Sequence, residues 1–209
     1  PGFGGSCFKK DILNLVYLAE YYGLVEVAQF WESVVYFNNW HQRRISQIVV
    51  KKMFGTISQK KIIILGFAFK ANTNDTRESA AINICKDLID EGAHLIIYDP
   101  KVSSNQIEKD LEICPSKELD EENKNHFNKR VGQWSFSTNL DIFENAHAVL
   151  ILTEWEEFKN INWVKLAKKM VLPAWVFDAR SIIDPEEVKK AGLNFWRLGD
   201  GKTDMEINI

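Results

Sequence analysis

A chain of 209 residues with 45% hydrophobic content can bury a substantial core and has room for one or two domains. A formal net charge of −3 leaves no broad basic field, which argues against a partner that is nucleic acid or a membrane surface. No apolar run reaches membrane-spanning length, and three widely spaced cysteines (Cys7, Cys85, Cys114) show neither metal-ligand spacing nor a disulfide framework, so a reducing, cytoplasmic setting is expected.

The chain opens inside a motif, Pro1-Gly2-Phe3-Gly4-Gly5-Ser6-Cys7-Phe8-Lys9-Lys10-Asp11, and a start at Pro1 is expected of a piece of a longer protein. Three glycines bring backbone close to one cysteine. Helical spacing of Ile12, Leu15, Val16, Ala19 and Tyr22 follows at once, which puts Cys7 at or just before a helix N-terminus. Free amide N–H groups, the helix dipole and Lys9 with Lys10 there are expected to favour the thiolate. A free cysteine in an ordinary turn is the plainer alternative.

The first helix is predicted from about Phe8 to Tyr22, ended by Gly23. A longer pattern (Val27, Phe30, Trp31, Val34, Val35, Trp40, Ile45, Ile48, Val49) predicts a helix reaching Phe54, roughly 40 Å long, aromatic on more than one face. It reads either as a core helix or as a strut against a partner subunit. From Lys60 the texture alternates between strand and helix. Strands are predicted at 61–66, 94–100, 146–152, 174–178 and 193–197. Helices are predicted at 78–91, 106–111, 155–159, 162–169 and 185–191, the signature of a doubly wound parallel sheet. Cys85 is expected to fill core volume. Residues 115–131, dense in charge, read as a surface loop.

The first strand runs into Gly66-Phe67-Ala68-Phe69-Lys70-Ala71-Asn72-Thr73-Asn74-Asp75-Thr76-Arg77-Glu78-Ser79, where a ligand of an open α/β sheet would sit. It lacks a G-x-G-x-x-G turn. Phe69 is available to wall in a ring and Lys70 to meet a phosphate. Asp75 with Glu78 suggests a capping box, and a helix start beside Lys70 and Arg77 suggests an anion site. Such a loop also forms for structural reasons alone.

Together, G-F-G-G-S-C-F-x-K-D, a long helix and G-F-A-F-K-x-x-T-x-D-T-R-E-S resemble the UDP-glucose 6-dehydrogenase family, with further likeness at Tyr98-Asp99-Pro100, Thr153-Glu154-Trp155 and Phe177-Asp178-Ala179-Arg180. The resemblance covers nearly the whole chain. It implies NAD-dependent oxidation of UDP-glucose at C6 through a cysteine adduct. Cys7 would be the nucleophile, Asp11 would position or activate water, and Lys10 would lie close by. Pro1, Gly2, Phe3, Gly4, Phe8, Phe69, Lys70 and Arg180 would contact the nucleotide sugar, and Arg77 with Cys7 would face NAD. It further implies catalytic-cysteine and dimerisation helices over 1–58, a Rossmann-like UDP-binding domain over 59–209, an NAD-binding domain preceding Pro1, and a homodimer through the long helix, hexameric in animal members. Dehydrogenases of UDP-N-acetylmannosamine or GDP-mannose are the alternatives within the superfamily. A non-catalytic nucleotide-binding and dimerisation module is the alternative outside enzymes.

Overall fold

A computed structural model describes residues 1–116 and 132–201, so most of the charged 115–131 segment lies outside the described residues. In chain order the elements are α1 (Phe8–Tyr21), α2 (Val25–Lys52), β1 (Lys61–Leu65), α3 (Ala80–Asp90), β2 (His94–Tyr98), α4 (Ser104–Leu111) and β3 (Gln133–Phe136). They continue with β4 (Ala148–Ile151), α5 (Glu156–Lys159), α6 (Trp163–Ala167), β5 (Trp175–Asp178), α7 (Pro185–Lys190) and β6 (Asn194–Arg197).

Helices α1 and α2 form a hairpin whose turn is made by Gly23. Its φ of +71° lets Leu24 N–H reach back to the Ala19 carbonyl at 2.8 Å. The 28 residues of α2 make a rod of about 42 Å. Its C-terminal half carries Ile45, Ile48 and Val49 into the same core as the sheet, followed by Met53 and Ile57. Its N-terminal half and α1 leave Tyr17, Tyr21, Phe30, Tyr36 and Phe37 more than 60% exposed.

Six parallel strands follow in the order β3-β2-β1-β4-β5-β6. Central β1 is flanked by β2 and β4, with Ile63 opposite Ile96 on one side and Val149 on the other. Ile62 to Leu65 are wholly buried, as expected of a strand covered on both faces. Five of the six strands match the periodicity. The sixth, β3, has no continuous apolar run, because Gln133 and Ser135 alternate with Trp134 and Phe136 on a sheet edge. Trp134 anchors it, fully buried with Nε1 donating to the Ile113 carbonyl at 2.9 Å.

One predicted device is corrected. Ser79 caps α3, its hydroxyl accepting from Ala81 N–H, and Glu78 takes a left-handed φ of 54° just before the helix. Asp75 instead turns onto the Arg77 N–H at 3.0 Å. No capping box forms, and the buried α3 start at Ala80 and Ala81 is not an open anion cradle.

At the opposite end of the sheet, His147 Nδ1 accepts the Lys61 N–H at 3.1 Å, joining the starts of β1 and β4. Burial lowers the His147 pKa from its ordinary 6.5. The unfolded chain therefore binds this proton first as pH falls, so the fold is expected to lose stability from about pH 6.5 downward. His147→Asn keeps an acceptor without a titration. Urea melts at pH 7 and pH 5 should show a smaller acid loss in the variant than in the parent; an equal loss would contradict this.

Candidate nucleotide-sugar site

The order 3-2-1-4-5-6 reverses direction between β1 and β4, and the crevice beyond their carboxyl ends is where such sheets bind ligands. Three segments meet there: Gly66–Ser79 after β1, Leu152–Trp155 after β4, and Ala179–Arg180 after β5. Gly66 has φ +90°, and a Cβ on it would lie 2.5 Å from Thr153 Oγ1, so no side chain fits where the two strands diverge. Thr153 Oγ1 then donates to the Ala68 carbonyl at 2.6 Å, closing the β1 turn onto β4.

Asp99, at the end of β2, completes this turn. Its Oδ2 accepts from Phe67 N–H, Ala68 N–H and Trp155 Nε1 at 2.7, 3.0 and 3.2 Å. Its Oδ1 accepts from Lys101 and Val102 N–H, both at 2.9 Å. In dinucleotide-binding sheets an acidic group at this place holds a ribose hydroxyl, and the preceding turn is glycine-rich for a pyrophosphate. Here the carboxylate is buried and taken up by five protein donors, and Phe67 and Ala68 occupy the turn. The first βα turn of this sheet does not fit a dinucleotide.

Arg180 lies in the middle of the crevice. Its Nε donates to the Leu152 carbonyl at 2.7 Å and lies 3.1 Å from Glu154 Oε2, while Nη2 donates to the Phe69 carbonyl at 2.6 Å. Burial lowers its pKa from the ordinary guanidinium value, and the Glu154 charge opposes that. Glu154 Oε1 also accepts the Ala71 N–H at 3.3 Å. Arg180 therefore knits the β1, β4 and β5 loops together. Buried Asp178 sets its backbone, accepting from Arg180, Ile182 and Ile183 N–H.

The glycine-rich stretch packs directly on the β1 loop. Gly5 N–H donates to the Arg77 carbonyl at 2.9 Å. A Cβ on Gly4 would lie 2.5 Å from the Glu78 carbonyl oxygen, and one on Gly5 would meet the Phe69 ring at 3.0 Å. Phe69 thus walls the loop that carries the cysteine, and Lys70 Nζ lies 5.4 Å from the centre of its ring. Lys9, not Lys10, crosses to this loop, pairing with Glu78 at 2.8 Å. Pro1 is buried, and Phe3 meets Phe8 edge-on at 4.7 Å between ring centres. Gly2 is exposed, with φ +82°.

Cys7 is the N-cap of α1 and is exposed, with Ser6 Oγ 3.7 Å from its sulfur. Lys10 and Asp11, three and four residues on and both exposed, lie on the same helix face as Cys7. Arg77 is held above its ordinary pKa by the Asp75 hydrogen bond and charge. Asp75 grips that guanidinium at 2.9 and 2.7 Å and has its own pKa lowered by it. Cys85 contrasts: it is fully buried, and desolvation pushes its thiol up. The two sequence motifs, which touch through residues more than 60 positions apart, form one surface.

Three contributors lie outside the motifs. Asn38 Oδ1 accepts the Phe3 N–H at 2.9 Å, and Asn38 Nδ2 donates to the Phe3 carbonyl at 3.1 Å. Gln42 Nε2 reaches the same carbonyl at 3.3 Å, and Asn83 Nδ2 on α3 donates to Gln42 Oε1 at 3.0 Å. The only sequence signal was a polar break, Asn38-Asn39, inside an aromatic helix.

The family described as UDP-glucose/GDP-mannose dehydrogenase, UDP binding domain, matches residues 63–185, the sheet with its crevice. The chain belongs to this family. Among curated relatives it is 44% identical over 204 residues to UDP-glucose 6-dehydrogenase 3 of Oryza sativa subsp. japonica, and 43% identical over 198 residues to UDP-glucose 6-dehydrogenase of Drosophila melanogaster. Each match covers 95% of this chain but only 42% and 40% of the relative, so the chain spans about two fifths of their length. A solved UDP-glucose dehydrogenase from Pyrobaculum islandicum superposes with a TM-score of 0.65 at 22% identity, over 93% of this chain and 37% of that one, which shows the shared fold. In this UDP-binding family member, no helix among the described residues is long and apolar enough to cross a membrane.

Proposed function

We propose that this chain is the UDP-binding and cysteine-bearing part of a UDP-glucose 6-dehydrogenase, oxidising UDP-glucose to UDP-glucuronate. The supporting observation is the docking of the Gly4–Gly5 backbone on Phe69 and Arg77, which brings an exposed Cys7 to the rim of the crevice. Residues 1–58 carry the nucleophile and the assembly helices, and 59–209 carry the UDP site. Phe69, Lys70, Arg180 and the Pro1–Gly4 turn, with Phe8, surround the nucleotide sugar.

Cys7 does the covalent work. The C6 alcohol first loses a hydride from carbon and the proton of its hydroxyl, which gives the aldehyde. The Cys7 sulfur then donates an electron pair to C6, the S–C bond forms, and the carbonyl pair moves to oxygen and gains a proton. Loss of hydride from C6 and of that proton leaves a thioester. Water, positioned by Asp11 one turn along α1 with Lys10 beside it, attacks the thioester. The S–C bond then breaks, and the thiolate and a carboxylate are released. NAD, when bound, supplies the hydride acceptor, and exposed Arg77 beside Cys7 suits a dinucleotide phosphate arriving from outside the sheet. The test is turnover by the full-length protein offered UDP-glucose, UDP-N-acetylmannosamine or GDP-mannose separately with NAD. Two NADH per UDP-glucose consumed is expected; activity on another donor alone, or on none, would overturn the assignment.

The exposed aromatic residues of α1 and α2 are proposed to pack against a second copy of the chain. Sedimentation at micromolar concentration should give a dimer that Tyr36→Glu with Phe37→Glu dissociates. A monomer in the parent would contradict it.

A further inference from the structure

Helix α2 carries a buried polar stripe at positions four apart: Asn38, Gln42 and Ser46, at 7%, 3% and 4% exposure. Each meets a partner off the helix. Asn38 pairs with both backbone groups of Phe3, Gln42 meets Phe3 and Asn83, and Ser46 Oγ donates to Asp87 Oδ2 at 2.7 Å. Asn83 and Asp87 are themselves four apart on α3, so the contacts form a ladder that fixes the register of the two helices. Apolar side chains of similar shape would satisfy packing alone with little loss, whereas paired polar groups tolerate a single arrangement. Gly2 tightens the fit, since a Cβ there would fall onto the Asn38 side chain.

We propose that Asn38 is a positioning residue for the nucleophile: its two hydrogen bonds to Phe3, together with the Asn83–Gln42 chain that ends on the same Phe3 carbonyl, fix the Cys7 loop relative to the loop that opens α3. Asn38 acts through Phe3 and the Gly4–Gly5 backbone, which in turn meet Phe69, Arg77 and Glu78. The role in turnover rests on the function proposed above. The role in geometry does not.

Asn38→Leu keeps the branched outline, in a somewhat larger side chain, and removes both bonds. The informative amide is Gly5, whose N–H donates to the Arg77 carbonyl and never touches Asn38. In this chain its hydrogen exchange should accelerate about tenfold or more, while β1 amides stay unchanged. In the full-length protein kcat should fall roughly a hundredfold, with KM for UDP-glucose moving much less, since the loss is of alignment. Asn83→Ala, which leaves the Asn38–Phe3 pair intact, should give a smaller change of the same kind and covers the case in which Asn38→Leu fails to fold. Unchanged Gly5 exchange in both variants overturns the proposal. If the full-length parent turns over no nucleotide sugar, the functional assignment fails, and Gly5 exchange still decides the positioning role.

Discussion

Cys7→Ser in the full-length protein is expected to cut UDP-glucuronate formation by about 10³-fold or more, because a serine hydroxyl at a helix N-terminus has no comparable nucleophilic form at neutral pH. The same substitution should leave the melting temperature unchanged. Cys7 is exposed and makes one weak side-chain contact, to Ser6, so its removal opens no cavity and orphans no buried group. Loss of activity with unchanged stability identifies a chemical role. Retained activity would return Cys7 to the plain reading, a thiol in a turn. Steady-state turnover and a thermal melt of the same preparation decide it.

The second large effect lies in stability. Asp99→Ala removes one carboxylate and leaves four backbone N–H groups and the Trp155 indole N–H without their acceptor at a buried site. The loss is expected to be about 3–5 kcal/mol. Asn does not rescue it. Oδ2 faces three donors and Oδ1 faces two, so either orientation of an amide aims its NH₂ at other N–H groups. For a chain of this size the melting temperature should fall by roughly 10 °C, with Asn as damaging as Ala. A shift below about 3 °C in both variants would mean that the turn repacks without the carboxylate.

The same carboxylate separates what periodicity can reveal from what it cannot. Ile62–Leu65 and Ala148–Ile151 announce buried parallel strands because both faces are apolar. A parallel sheet with helices between its strands was therefore legible. Edge strand β3 was not, since half its side chains are polar. The turn after β1 carries no G-x-G-x-x-G fingerprint, and the string of residues alone does not say what closes it. Only the folded structure brings Asp99 onto the turn, which it closes with five bonds. The α3 cap was misread because Asp75 and Glu78 have capping-box spacing, yet Glu78 enters the left-handed region and Ser79 takes the cap.

For the site, the cysteine motif and the β1 loop were visible as separate strings of residues. Their contact was not, because it runs through backbone: Gly5 N–H to the Arg77 carbonyl, and Gly4 against the Glu78 carbonyl. Backbone contacts leave no side-chain signature beyond the glycines that allow them. Asn38 and Gln42 stayed hidden for a related reason. A buried amide satisfied by another segment's backbone looks in sequence like an unfavourable interruption of an apolar helix.

The central claim is that the cysteine loop and the β1 loop bound one nucleotide-sugar pocket, and alkylation of Cys7 with and without UDP tests it on this chain directly. Cys7 should react with iodoacetamide while buried Cys85 does not, and UDP should slow Cys7 alone with a saturable dependence that Lys70→Ala weakens. UDP binding that leaves the Cys7 rate untouched, or no UDP binding at all, would contradict the account.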